Sequence, residues 1–113
     1  MIIQPIEVNQ SDYGYQLGPW TLEDGNGDAQ NLTGASLVLN VQDSQDPTAA
    51  LLFSDAVSVD NATAGLVHYT VANGNFPTPG VFLAQIVATY STEQVSWPAF
   101  QIIVLPTLPK SNN

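Results

Sequence analysis

The chain has 113 residues, 44% of them hydrophobic and 10% charged, with a formal net charge of −9. That length fits one domain, and the apolar content excludes a disordered chain. Ten acidic residues face one basic residue, Lys110, which excludes nucleic-acid binding and adsorption to anionic membranes, and the lack of cysteine excludes a disulfide framework or a thiolate metal site.

The start, MIIQPIEV, has no basic segment ahead of a long apolar run, and no run is long enough to span a bilayer. The expectation is a protein that stays in a cytoplasm or leaves it within a particle. Eight glycines and eight prolines are spread so that few windows could hold a long helix. Short alternating runs bounded by turn residues predict an all-β domain.

In chain order, IIQPIEV is the first predicted strand, with Ile2, Ile6 and Val8 on one side and Pro5 pointing to an edge. YQLGPWTLE is the second, with Trp20 and Leu22 on one face and Pro19 marking an edge or a bulge. ASLVLNV aims Ala35, Leu37, Leu39 and Val41 one way. QDSQDPTA reads as a loop with an Asp46-Pro47 turn. LLFSDAVSV is one bent strand or two short ones. GLVHYTV places Val67, Tyr69 and Val71 opposite Leu66, His68 and Thr70. After the turn-rich NGNFPTPG come the long strand GVFLAQIVATY and a last one, EQVSWPAFQIIVL, breakable at Pro98. Leu37, Leu39, Val67, Tyr69, Phe82, Ala84, Ile86, Phe100 and Ile102 are the predicted core. About seven antiparallel strands with regular turns predict an immunoglobulin-like β-sandwich over residues 1–105, a small barrel being the other architecture, followed by an extended tail over 106–113.

The segment DGNGD sets Asp24, Asn26 and Asp28 at alternate positions, as a helix–loop–helix calcium loop begins. Such a loop needs glycine at its sixth position and glutamate at its twelfth. Here both are alanine, Ala29 and Ala35, so a tight turn using Gly25 and Gly27 is expected instead. His68, the only histidine, cannot build a zinc site by itself and is expected to face solvent from its strand. Asp12, Asp24, Asp28, Asp43, Asp46, Asp55 and Asp60 read as turn carboxylates rather than a glycosidase pair, which would need a cleft. Trp20, Trp97, Tyr13, Tyr15 and Tyr90 read as core and edge aromatics, with a sugar-stacking platform as the other reading. The sequons at Asn31 and Asn61 carry no weight without a secretion signal. No catalytic, metal or cofactor site emerges, and the chain is not expected to be an enzyme.

GDAQNLTGASLVLNV, AGLVHYTV and PGVFLAQIVATY occur in that order. Together they resemble the N-terminal domain family of the phage baseplate upper protein, over roughly residues 15–105. The matching pieces are Leu32-Thr33-Gly34-Ala35 after a turn, Gly65 through Tyr69, Pro79-Gly80 leading to Phe82, Ala84 and Gln85, and the final FQIIV. The resemblance implies an immunoglobulin-like sandwich that attaches modules to a virion and performs no catalysis. Members of the family often continue into further domains, whereas this chain stops at Asn113. It is therefore either a fragment or a small stand-alone virion protein of baseplate, tail, neck or head. On this reading its partners are other virion proteins, including further copies of itself in the particle.

A second expectation follows from alternation. In GVFLAQIVATY the face opposite Phe82 and Ala84 carries Val81, Leu83 and Val87, and in FQIIVL the face opposite Phe100 and Ile102 carries Ile103 and Leu105. A sheet with one wet face should alternate apolar with polar. Val81, Leu83, Val87, Ile103 and Leu105 are therefore the predicted protein–protein surface, to be covered by another copy, a different protein or the chain's own termini. A non-catalytic carbohydrate-binding module is the competing function, and a small enzyme or inhibitor a third.

Overall fold

The structure, a computed structural model, describes residues 1–43, 48 and 50–107. The Asp46-Pro47 turn and all of the expected tail beyond Thr107 lie outside the described residues. The described chain is all-β, with nine strands: β1 (Ile6–Asn9), β2 (Gln16–Thr21), β3 (Ser36–Asp43), β4 (Phe53–Ala56), β5 (Ser58–Asn61), β6 (Leu66–Thr70), β7 (Gly80–Thr89), β8 (Gln94–Ser96) and β9 (Phe100–Leu105). One sheet runs β1-β9-β7-β3-β4, with β8 also on β7, and the other runs β2-β6-β5. Two such sheets packed around one core are compatible with a β-sandwich.

The count is nine rather than about seven because two sequence runs each change role part-way. Val57, 7% exposed, still donates its N–H to Leu37, yet Ser58 already pairs with His68 in the other sheet. The LLFSDAVSV run thus turns a corner between sheets. The last run breaks around Pro98. Between Ser96 and Phe100 the chain advances four residues while its partner on β7 moves three, from Val87 to Ala84. This one-residue bulge changes which parity faces inward, so Trp97 and Phe100 are both buried. Pro19 marks the same device. Leu17 pairs with Tyr69 and Trp20 with Val67, three residues against two, so both Leu17 and Trp20 face the core from an edge strand.

Two expectations need correction. The strands are not all antiparallel: β1 pairs with β9 in parallel, Ile6 opposite Ile102 and Val8 opposite Val104. Ile2 does not join Ile6 and Val8 inside. It is 76% exposed, while Ile3 is buried, because regular pairing begins only at Ile6 and strand alternation does not extend back past Pro5. The nine predicted core residues are all buried, none above 7% exposed. They meet Leu22, Leu32, Val41, Val71, Phe76 and Val104 in a single cluster between the sheets.

Candidate functional site

The registers of β3, β7 and β9 place Leu39, Ile86, Phe82 and Ile102 inward, which turns Val81, Leu83 and Ile103 outward. Val81 and Leu105 are 36% and 37% exposed, and Leu83 and Ile103 are half-buried. Val87 is on the same outward row but only 8% exposed, flanked in register by Val38 on β3 and Ser96 on β8. Alternation fixes the face a residue occupies, and the neighbouring strands decide how much of it remains open. Beside Leu83 the face dips into a depression of about 160 Å³, walled by Asn40, Leu51, Gln85 and Ala99 among others. Gln85 is held there by its side-chain N–H, which donates to the Trp97 carbonyl at 3.0 Å and so satisfies the bulge.

DGNGD forms a hairpin turn closed by the Glu23–Ala29 bridge. Asp24 Oδ1 accepts from the N–H of Asn26 at 2.8 Å and of Asp28 at 3.1 Å, so this carboxylate serves the turn itself. Among the described residues no three His, Cys, Asp or Glu side chains come together as metal ligands would. In the following segment Ala35 N–H donates to the Leu32 carbonyl and Gly34 has φ +81°, a turn that buries Leu32 and leads into β3.

His68 lies on the outward face of β6, but its side chain is only 17% exposed. Its Nδ1 sits 2.9 Å from Asp60, which occupies a bulge in β5. Asp55 and Asp60 are strand residues, not loop residues as their composition suggests, and Asp43 ends β3. Of the aromatic set, Trp97 is buried, with its Nε1–H donating to the Glu23 carbonyl at 2.9 Å. Tyr90 donates to the Asn31 carbonyl at 2.6 Å, and Trp20 packs 5.7 Å from Phe100. Tyr13 is exposed. These side chains mostly tie loops to the sandwich.

Two features had no clear signal in the sequence. An open cleft of about 640 Å³ separates the first seven residues from β2, and Tyr15, Pro19 and Trp20 line it. Sequence spacing cannot show a gap between two edges that fail to pair. Inside the sandwich, Tyr69 donates its hydroxyl to Asp55 Oδ2 at 2.6 Å and lies equally close to Asn75 Oδ1, which accepts from Ala72 N–H. Burial first, then the Asp55 carboxylate, push the Tyr69 pKa well above that of a free phenol.

No protein-family model matches this sequence, and no curated protein matches it.

Proposed function

We propose that the chain is a structural module of a bacteriophage virion, in a baseplate, tail or head-attached position, and that it works by docking rather than catalysis. The observation that carries this reading is the outward face of β7 and β9. There Val81, Leu83, Ile103 and Leu105 form an uncharged, partly exposed apolar strip on a chain of net charge −9. Apolar surface left in water costs about 25 cal/mol per Å², so such a strip favours a covering partner. The likeness of residues 15–105 to the baseplate upper protein domain supplies the setting. The only histidine is engaged by Asp60 and the Asp24 carboxylate by its own turn, an arrangement that suits a scaffold.

The test replaces Leu83 and Ile103 together by threonine, which keeps strand propensity. Incorporation into particles should fall sharply while the thermal transition stays within a few degrees. Unchanged incorporation, or collapse of the fold, removes the face from the account. Capsid or tail genes beside the coding sequence would support the setting, and a neighbouring glycosidase would oppose it.

The carbohydrate-binding reading keeps one supporting observation, the cleft with Tyr15 and Trp20 in its wall. Saturable quenching of tryptophan fluorescence by an oligosaccharide, lost on Trp20→Ala, would favour it.

A further inference from the structure

We infer that the outward face of β3, β7 and β9 pairs with the same face of a second copy of the chain, about a two-fold axis near β7. This rests on the docking reading and names the partner. Charge is the first argument. The registers turn alternate residues of β3, β4, β7, β8 and β9 outward, and none of those residues is charged: all are aliphatic, hydroxyl or amide. Glu7 on β1 is the acid at the rim. Two chains of net charge −9 that approach by other surfaces bring acids together, whereas this face lets them meet with little repulsion. A basic partner, which the overall charge would attract, finds no carboxylate on the outward rows of these five strands, Glu7 of β1 lying at the rim.

Chemistry is the second argument. The polar side chains around Leu83 include Asn40, Gln85 and Gln101. An amide both donates and accepts, so a face carrying amides is complementary to itself. A two-fold contact makes that demand, since each patch must fit its own copy. The depression beside Leu83 offers room for an aliphatic side chain of the other molecule. Size is the third argument. β7 is the middle strand of its sheet. Strands β3, β4, β7, β8 and β9 hold 31 residues, which at about 3.3 Å of rise and about 4.8 Å of spacing give a face on the order of 500 Å² per copy. The total, about 1,000 Å², falls among weak, transient interfaces, so the dimer should be weak and concentration-dependent.

Sedimentation equilibrium of the full chain, from low micromolar to millimolar concentration, tests this. The dimer should form, and added salt should strengthen it by screening the repulsion between copies. Leu83→Glu and Leu83→Lys should each weaken self-association at least tenfold, and an equimolar mixture of the two should recover it. If either variant unfolds, the same pair of changes at the exposed Gln101 replaces it. A wild-type chain that stays monomeric to millimolar concentration, a dimer indifferent to all four variants, or a dimer dissolved by salt would each overturn the inference. Particle incorporation separates this failure from failure of the docking reading. A monomeric wild-type chain whose incorporation is still lost with Leu83→Glu overturns self-pairing alone and assigns the face to a different protein. Incorporation that withstands Leu83→Glu removes the docking reading itself.

Discussion

Tyr69 shows how one residue joins both sheets. It stands on β6, yet its hydroxyl reaches Asp55 on β4, and its ring lies 6.1 Å from Phe53, nearly parallel to it. Phe53 in turn meets Phe76 edge-on at 5.5 Å. With a folded-state pKa raised above about 10, the unfolded value, the folded protein holds the phenol proton more tightly than the unfolded chain does. Its contribution is therefore complete below about pH 10 and is lost as pH rises above it. Tyr15, raised by burial and by the charge of Asp12, adds to the same slope. Denaturant unfolding measured from pH 8 upward should show stability flat to about pH 10 and then falling. Tyr69→Phe should flatten that fall while lowering stability below about pH 10 by roughly 1–3 kcal/mol, since Asp55 and Asn75 lose a partner. An equal alkaline slope in the variant would mean that other groups cause it.

At the scale of elements, the bulges do most of the positioning. Those at Pro19 and Pro98 let residues of both parities, Leu17 with Trp20 and Trp97 with Phe100, enter one core. The prolines were visible in the sequence as interruptions. That each interruption changes the inward parity follows only from register. Gly65 is the joint between the DGNGD hairpin and β6. Its carbonyl accepts from Leu22 N–H at 2.8 Å, and its φ is +67°. A Cβ there would stand 2.5 Å from the Leu22 carbonyl oxygen and 3.0 Å from that of Gln30. Gly65→Ala should therefore cost roughly 2–5 kcal/mol, left-handed strain plus overpacking, read as a shift in the denaturation midpoint. A loss below about half a kcal/mol would show that the hairpin can swing away from β6 at little cost.

The whole molecule carries ten acidic residues against one basic one, so self-repulsion opposes the compact state. The His68–Asp60 contact offsets little of it, being on the outer face of a three-stranded sheet. Raising salt from low to physiological strength and beyond should raise the melting temperature. About 1 kcal/mol of relief corresponds to roughly 4 °C for a domain of this size. The measurement belongs at low micromolar concentration, where self-association contributes little. A fall with salt would mean that attractive pairs outweigh the repulsion.

The sequence by itself determined the all-β class, the edge or bulge at Pro19, the break at Pro98, the turn at DGNGD and the inward set from Leu37 to Ile102. Each of these follows from the two-residue period of a strand or the backbone demands of a turn, which are local. It determined the face of Val81, Leu83, Val87, Ile103 and Leu105 for the same reason. Only the tertiary structure decided that β1 runs parallel to β9, that the LLFSDAVSV run crosses between sheets at Val57, and that Val87 is closed off beside Val38 and Ser96. The pairing of Asp55 with Tyr69, fourteen residues away, belongs to the same group. These depend on which strands become neighbours, a matter of long-range packing that local periodicity does not encode.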